Sequence, residues 1–423
     1  MLKFLIKGLF RDRHRYLFPL IMVGVGVWMM VFMLSFMNGY TESFIRQNAG
    51  FETGHLKVVT RAYAEMPDLR PYDLGLLDYQ DGLKAWKRDY PQFDWLERIH
   101  FGALMDVPDA NGDTREQGNI VGFGVDLFSS RLERRYMNLD KALVQGRIPA
   151  RPMEALLSDK AFRKLSLRLG DTITLIASDI NGAMAFRNFR VSGTIDFGME
   201  ALDRGAVIAD LSDVRQMLDM ENGAGEILLL FKDGQYHPRE VARVRDTFNA
   251  RYSDPQDEYS PVMRAMSDQN NFGYLMNMLQ SILGMVSAVF TFILAVVLWN
   301  SGLMNGIRRY SEFGVRLAVG ESKWHIYKSL LAEALVLGLT GSLIGILLGL
   351  VFSAYFSTHG LDMRVFSRNS SLMAEDMIYT ALDLRTALAG FIPGVLSNLL
   401  GAALAGIAVF KRQTARLFNE LEV

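Results

Sequence analysis

The sequence contains no cysteine, only six histidines and no excess of charge of either sign. The absence of cysteine excludes disulfide bonds, thiolate metal sites and cysteine nucleophiles. The 45 Lys and Arg residues balance 46 Asp and Glu residues, so nothing in the charge suggests nucleic acid as a partner. The histidines are scattered and no HExxH motif occurs, so we expect no metal site.

A nucleotide-binding loop is also missing. The nearest approach is GVRLAVGES at residues 314–322, which has five residues between its glycines, whereas a phosphate-binding loop has four. Glu321 stands where the phosphate-binding Lys belongs. We therefore expect the chain to bind no ATP by this route, to carry no cofactor and to be no enzyme.

Apolar residues, by contrast, are abundant. They make up 50% of the chain and give a mean hydropathy of +0.12 although 22% of the residues are charged. They concentrate in four runs, and at about 1.5 Å per residue each run can cross a hydrocarbon core of about 30 Å. The predicted membrane helices cover residues 16–40, 271–304, 326–357 and 384–410.

Basic residues predict how these helices are oriented, because loops rich in Lys and Arg stay in the cytoplasm. They cluster in an amphipathic segment at residues 1–15, in the loop 305–325 and in the tail 411–423. The first apolar run is longer than the 7–15 residues of a signal-peptide core, so we interpret it as an uncleaved anchor. Both termini are expected inside.

Residues 41–270 contain no run apolar enough to span a membrane and read as a mixed domain outside it. Strands are predicted at 54–60, 172–177, 186–195 and 226–231, a hairpin at 99–121, and helices at 158–167, 211–220 and 238–250. A shorter external loop covers residues 358–383. The predicted fold class is an α-helical membrane protein with four transmembrane helices and a large α+β extracytoplasmic domain inserted between the first and second spans.

The loop 305–325 can form a short amphipathic helix. We expect its apolar side chains to face the base of the membrane helices and its charged side chains to form a stripe at four-residue spacing. The apolar set is Phe313, Leu317 and Trp324 or His325, and the polar set is Arg308, Glu312 and Arg316.

The run EFGVRLAVG at residues 312–320, followed by Glu333-Ala334 and the glycines of the third span, resembles the signature of the FtsX/MacB/LolC permease superfamily of ABC transporters. The resemblance implies that this loop is the coupling element that docks on a separate ABC ATPase, where ATP and Mg²⁺ would be bound. The coupling residues it implies are Arg308, Arg309, Glu312, Gly314, Arg316 and Gly320.

The end of the first span, SFMNGY at residues 35–40, is similar to the LolC and LolE subunits of the lipoprotein-releasing transporter. This resemblance implies a permease of the bacterial inner membrane that acts by mechanotransmission and extracts lipoproteins. The partners it implies are the ATPase, a second copy or a homologous permease, a lipoprotein or other membrane-derived substrate, membrane lipids, and a periplasmic carrier or adaptor.

Three alternatives remain open from the sequence. One is a MacB-like efflux permease that works with an adaptor and an outer-membrane duct. A second is an FtsX-like regulator of cell-wall hydrolases, whose outer domain is typically smaller than the one predicted here. A third is a receptor without an ATPase, which the match at residues 312–320 disfavours.

Several intramembrane residues are also candidates. Glu333 is a carboxylate inside the third span, which by default suggests a function; alternatively, it lies near the cytoplasmic boundary and pairs with Lys328 or an Arg of the loop. In either case we expect it to serve the joint between loop and span rather than substrate binding. Glycines at four-residue spacing allow helices to approach closely, and Met residues in the first span form a face that could contact acyl chains or bulk lipid. The glycines are Gly341, Gly345, Gly349, Gly390 and Gly394, and the methionines are Met22, Met29, Met30 and Met33.

Overall fold

The computed structural model describes residues 13–66, 69–109, 112–198, 200–269, 272–307, 310–362, 377–382 and 388–411. The chain divides into two compact units. The helical unit consists of Met1–Thr41, Leu279–Leu361 and Ile378–Val423. The α+β unit consists of Glu42–Met278 and Asp362–Met377. The amphipathic segment predicted before residue 13 and the tail predicted after residue 411 lie outside the described residues.

The helices follow one another in this order: α1 Arg13–Asn48, α2 Arg61–Glu65, α3 Gln80–Asp89, α4 Leu132–Tyr136, α5 Leu139–Ala142, α6 Asp159–Lys164, α7 Glu200–Asp203, α8 Leu211–Met217, α9 Pro238–Tyr252, α10 Phe272–Ile307, α11 Tyr310–Ala318, α12 Lys323–His359 and α13 Phe391–Lys411. The strands are β1 Leu56–Thr60, β2 Phe93–Pro108, β3 Thr114–Val125, β4 Leu143–Gly146, β5 Glu154–Ser158, β6 Thr172–Ser178, β7 Met184–Ile195, β8 Ala206–Asp210, β9 Glu226–Phe231, β10 Pro261–Ala265, β11 Leu361–Asp362 and β12 Met377–Ile378.

Six strands of the α+β unit pair in a closed ring, in the order β2, β3, β8, β5, β7, β6 and back to β2. Closing a sheet in this way leaves no edge among these strands. One core cluster draws buried side chains from all six, among them Phe101, Leu157, Leu175, Phe189 and Val207. The ring is therefore filled by its own apolar side chains.

A second lobe continues the sheet from β2 through β9 and β1 to β10. The helices α3 and α9 cover it, and their aromatic side chains dominate its core. Trp86 packs against Phe248 with ring centroids 5.3 Å apart, and Trp95 stacks on Trp86 at 6.4 Å. The predicted strands and helices of this region are confirmed, with β9 starting and ending at the predicted residues.

A fully buried arginine connects the start of the α+β unit to its sheet. Arg98 on β2 is 0% exposed and holds both carboxylate oxygens of Glu133, with distances of 2.8 and 2.6 Å. Its remaining donors reach the carbonyl oxygens of Gly50 and Phe51 at 2.7 and 2.6 Å. These carbonyls belong to the π-helical turn Ala49–Thr53 that follows α1, so Arg98 fixes this turn onto β2.

A second buried polar cluster surrounds Glu226 on β9. Lys57 donates to one of its oxygens at 2.8 Å, and His100 Nε2 contacts the other at 2.8 Å. The guanidinium of Arg70 reaches His100 Nδ1 at 3.1 Å, so the ring accepts at Nδ1 and donates at Nε2. Burial alone would raise the pKa of Glu226, but Lys57 and His100 outweigh it, and the pKa lies well below its usual range.

Three helices are long and apolar enough to cross a membrane, at Leu17–Thr53, Phe272–Asn300 and Lys323–His359. A fourth apolar helical stretch, Phe391–Ile407, is shorter in the described part of the chain. Residues 383–387, where the fourth predicted span begins, lie outside the described residues. The four-span arrangement stays a prediction.

The first helix is longer than predicted. The sequence analysis ended the first span at residue 40, whereas α1 continues to Asn48. Side chains support these extra turns: Thr41 Oγ1 donates to the Met37 carbonyl at 3.0 Å, and Asn48 Nδ2 donates to that of Phe44 at 2.8 Å. The change from apolar to polar residues therefore does not mark the end of the helix.

Candidate functional site

The segment that joins α10 to α12 is folded as the short helix α11, Tyr310–Ala318. Phe313 is 1% exposed and belongs to a cluster with Ile326 and Leu330 of α12 and Ala402 of α13. Leu317 packs against the same cluster. The apolar face expected of this helix is thus occupied by Phe313 and Leu317, and it is packed on the ends of two long helices.

The polar side of α11 contains an ion pair that was not predicted. Arg316 forms a two-pronged ion pair with Glu321, with Nε to Oε2 and Nη2 to Oε1 both at 2.6 Å. This hydrogen-bonded pair lowers the pKa of Glu321. The sequence placed Arg316 and Glu312 on one stripe but gave no sign of Glu321 as a partner, because the pair depends on a turn that spacing along a helix does not reveal.

That turn is made by Gly320, whose φ of +96° is a conformation that favours glycine. The amide of Glu321 donates to the carbonyl of Arg316 at 3.0 Å and closes the end of the helix. Gly314 lies buried within α11. The predicted residues Arg308 and Arg309 lie outside the described residues.

The expectation that Trp324 or His325 lies on the apolar face of the same short helix as Phe313 and Leu317 is wrong. Ser322 caps a new helix by accepting from the amide of His325 at 3.3 Å, so both residues belong to the first turn of α12. Both are exposed. Trp324 instead stacks on Tyr327 at 5.7 Å and carries the ammonium of Lys328 over its ring at 5.2 Å.

Three exposed apolar residues, Val315, Val319 and Trp324, lie within three residues of Arg316 or Glu321 along the chain and are called the exposed apolar rim here. Val319 is 84% exposed, and the other two are more than half exposed. An exposed group of this kind beside a charged pair has the composition of a protein contact surface. The rim was not predicted from the sequence, where only Trp324 of its three residues was given a position, at the membrane base.

Glu333 lies buried in α12 at 8% exposure, one residue before Ala334 of the Phe313 cluster. The carbonyl of Ala334 accepts from Asn398 Nδ2 of α13 at 2.9 Å. The carboxylate therefore lies at the joint between α11, α12 and α13. Its role in coupling stays a prediction.

The predicted glycines Gly341, Gly345 and Gly349 lie on the face of α12 that meets α1. A Cβ at each of these positions would approach a valine Cβ of α1 to 2.8 Å, which is closer than real side chains come. The valines are Val23, Val27 and Val31, respectively. Substitution would therefore separate the two helices.

The other two predicted glycines differ in their positions. Gly394 lies in α13, where a Cβ would collide with Ser342 Oγ and approach Val27 to 2.7 Å. Gly390 is a buried turn residue between the helical residues 388–389 and the start of α13 at Phe391. Pro393 fits this start, because proline is tolerated in the first turn of a helix.

The four methionines do not form one uniform face. Met29 is exposed and Met22 and Met33 are half-buried, but Met30 is buried. The first three are separated by seven and four residues and therefore share one side of α1, whereas Met30 lies about 100° round the helix from Met29. Any acyl-chain contact would involve Met22, Met29 and Met33.

The motif at residues 35–40 also has a structural explanation. The carbonyl of Ser35 accepts from the amide of Ala381 at 3.0 Å, and a Cβ at Gly39 would collide with the carbonyl oxygen of Tyr379. Thr380 Oγ1 donates to the carbonyl of Ser353 on α12 at 2.6 Å. The segment 377–382 is therefore packed against the ends of α1 and α12.

Among the described residues, no group of three or more His, Asp or Glu side chains is placed to hold a metal ion. The features that the helical unit does present are a short helix packed on the ends of long helices, an exposed rim and close helix packing behind it.

Comparison with known proteins places these features in a family. The family model "FtsX-like permease C-terminal" matches residues 284–414, and "MacB-like periplasmic core domain" matches residues 20–246, more than half of the chain. No match was found among curated proteins. Among solved structures, the periplasmic region of MacB from Actinobacillus actinomycetemcomitans is similar, at 10% identity and a TM-score of 0.34, covering 55% of this chain and 95% of that one. The chain belongs to the FtsX/MacB/LolC-type superfamily of ABC transporter permeases, membrane proteins with a periplasmic region that work with an ABC ATPase partner.

Proposed function

We propose that this chain is the membrane subunit of a mechanotransmitting ABC transporter in the bacterial inner membrane, and that α11 is its coupling helix. A separate ATPase subunit binds ATP and Mg²⁺ and docks on α11 from the cytoplasm. The observation that carries the proposal is the two-sided character of α11. Phe313 is anchored in a cluster shared by α12 and α13, while Val315 and Val319 are exposed.

This arrangement suits transmission of force. A push on the exposed rim reaches Phe313 through one rigid helical turn, and Phe313 contacts side chains of both α12 and α13. The glycines of α12 then pack directly against the valine side chains of α1. Close-packed interiors transmit displacement because they have few voids in which it could be absorbed.

We further propose that the chain has four spans, has both termini in the cytoplasm and acts as a dimer with a second copy or a homologous permease. The cargo that best fits the proposal is a lipoprotein, extracted from the membrane by movement of the periplasmic domain and passed to a periplasmic carrier. The resemblance of residues 35–40 to lipoprotein-releasing permeases favours it. The match to the MacB-like domain favours efflux as the second candidate.

The coupling proposal predicts that Val319→Asp abolishes co-purification with the ATPase and ATP-driven transport in proteoliposomes. Because Val319 is 84% exposed, the variant should insert and fold normally. The matched control is Val144→Asp on β4, an exposed valine of the α+β unit that is not part of the rim. Full ATPase association and transport by the Val319 variant would refute the assignment of α11.

A charge exchange separates docking from local structure. Arg316→Glu alone should disrupt the turn after α11, whereas Arg316→Glu with Glu321→Arg can restore the pair with reversed polarity. If the pair only stabilises the turn, the double variant recovers transport. If the ATPase binds to these charges, the double variant folds but its ATP hydrolysis stays uncoupled from transport. Either result retains α11 as the coupling helix, which the Val319 variant tests.

The cargo proposal predicts that depletion of this protein leaves acylated proteins in the inner membrane, with little change in drug sensitivity. The measurement is the distribution of lipoproteins between separated inner and outer membranes, beside the growth response to a panel of toxic compounds. Normal lipoprotein localisation together with lost export of a small molecule or peptide would select the efflux function. Loss of hydrolase activation alone would select the regulatory one.

A further inference from the structure

A cavity of about 240 Å³ in the α+β unit has an unusual lining. Among its described lining residues, the polar side chains are those of Arg46, Gln47, His55, Arg135, Tyr136 and Asn138, and none is a carboxylate. Phe51 and Leu230 contribute apolar walls. Two arginines therefore line a small space together with two amide side chains and a buried histidine.

His55 supplies the first indication of a ligand. The residue is 1% exposed, and its Nδ1 accepts from the amide of Phe231 at 3.1 Å. Burial lowers the pKa of His55 to about 4, so the ring is neutral at neutral pH and its hydrogen must lie on Nε2. Among the described residues, this Nε2 has no hydrogen-bond partner. Buried donors without an acceptor are rare in native proteins.

The two arginines supply the second indication. The guanidinium of Arg135 lies 5.5 Å from the ring centre of Tyr136, whose hydroxyl donates to Asp94 at 2.7 Å. Arg46 lies 3.9 Å from Glu42, one turn back on α1. These contacts hold both cations at the cavity, although two like charges in one pocket repel each other.

The nearby carboxylates do not fill the cavity. Asp94 is bonded to Tyr136, and Asp233 lies 2.8 Å from His237 Nε2 and accepts from the amide of Gln235. Neither lines the cavity. A single water molecule could satisfy His55, but the cavity is several times larger than the roughly 30 Å³ of one water.

We propose that this cavity binds a phosphate group, either of a phospholipid headgroup or of a soluble phosphate. A tetrahedral oxyanion presents enough acceptors to engage Arg46, Arg135 and His55 Nε2 together. Phe51 and Leu230 offer apolar surface to the carbon substituents of a phosphate ester. The proposal concerns only the α+β unit and depends neither on the coupling helix nor on the ATPase.

The test uses the full chain in dodecyl maltoside micelles, which contain no phosphate. Inorganic phosphate is titrated at constant ionic strength, and hydrogen exchange of peptides covering residues 46–55 and 131–138 is measured. We expect protection that saturates in the unaltered protein. Arg135→Gln should weaken the apparent affinity about tenfold, equivalent to about 1.4 kcal/mol.

Arg134→Gln is the matched control. Arg134 precedes Arg135 in α4, is exposed, pairs with Asp140 and does not line the cavity. The Arg134→Gln variant loses the same charge as Arg135→Gln and should leave the protection by phosphate unaltered. Equal responses in the two variants, or equal protection by chloride at the same ionic strength, would show that the effect is general screening and would overturn the proposal.

A further experiment with lipid distinguishes a headgroup phosphate from a soluble phosphate. Micelles containing phosphatidylglycerol are compared with micelles lacking it, without added phosphate. If the lipid alone protects the peptides and the Arg135→Gln variant loses this protection, the site takes a headgroup phosphate. If only inorganic phosphate protects, the site takes a soluble phosphate. A protein that responds to neither probe contains no such site.

Discussion

Replacing Arg98 with Met is expected to lower the free energy of unfolding of the α+β unit by about 3–5 kcal/mol. The substitution leaves Glu133 as a buried carboxylate and removes the donors to the carbonyls of Gly50 and Phe51. Burial already raises the pKa of Glu133 despite the guanidinium beside it, so the charged form depends on Arg98. Hydrogen exchange of the β2 peptides in the full chain measures the loss.

Two further variants separate the buried pair from a general effect of removing arginine. Arg98→Met combined with Glu133→Leu removes both charges and should recover part of the lost stability, because no ion is left unpaired. Arg204→Met removes an arginine whose pair with Glu200 is exposed and should cause no measurable change. A double variant as unstable as the single one would contradict the proposed cause.

Replacing Glu226 with Gln is expected to cause a loss of similar size, about 3–5 kcal/mol, centred on β1 and β9. Lys57 would then be a buried cation without its counter-charge, and His100 would lose its charged acceptor. Exchange of the β1 and β9 peptides reports the loss. Glu221→Gln, at an exposed position after α8, is the control.

The buried cluster around Glu226 also determines whether the stability of the α+β unit rises or falls with pH. Burial lowers the pKa of His100 although Glu226 raises it, so the folded protein keeps this ring neutral. In the unfolded chain it takes up a proton below its ordinary pKa of about 6.5. The protein therefore keeps its full stability, as far as His100 is concerned, above this pH, and loses stability as the pH falls below it. The Glu226 contribution is fully present above the ordinary carboxyl pKa of 4.5 and is lost progressively as the pH falls from there through its lowered pKa. Stability measured between pH 7 and about 5 complements the Glu226→Gln variant. A stability profile that is flat over this range would contradict this account.

Much of the secondary structure was predictable because it depends on local patterns. The continuous apolar run after Glu226 indicated β9, and Pro238 marked the start of α9. The closed ring was not predictable, because its closure depends on β6 pairing with both β2 and β7. Strand partners far apart in sequence leave no local signal.

The candidate site shows the same division between local and non-local information. The amphipathic pattern correctly assigned Phe313 and Leu317 to the packed face of α11. The pair between Arg316 and Glu321 was missed because it requires the left-handed turn at Gly320. Trp324 was misplaced because the cap at Ser322, which starts a new helix there, was overlooked.

The cavity around His55 could not have been found from sequence. Its two arginines belong to α1 and α4, and its histidine immediately precedes β1. The unpartnered Nε2 is apparent only once the amide of Phe231 is seen to occupy Nδ1.

The valine ridge of α1 has a consequence for biogenesis. Val23, Val27 and Val31 are covered by Gly341, Gly345 and Gly349, which are synthesised roughly 300 residues later. At about 5–20 residues per second, the ribosome needs about 15–60 s to produce the covering helix. During that interval the valine ridge lacks the glycines that cover it, while the main segment of the α+β unit, Glu42–Met278, has already been synthesised. The contacts between α1 and α12 therefore form only after most of the α+β unit has left the ribosome.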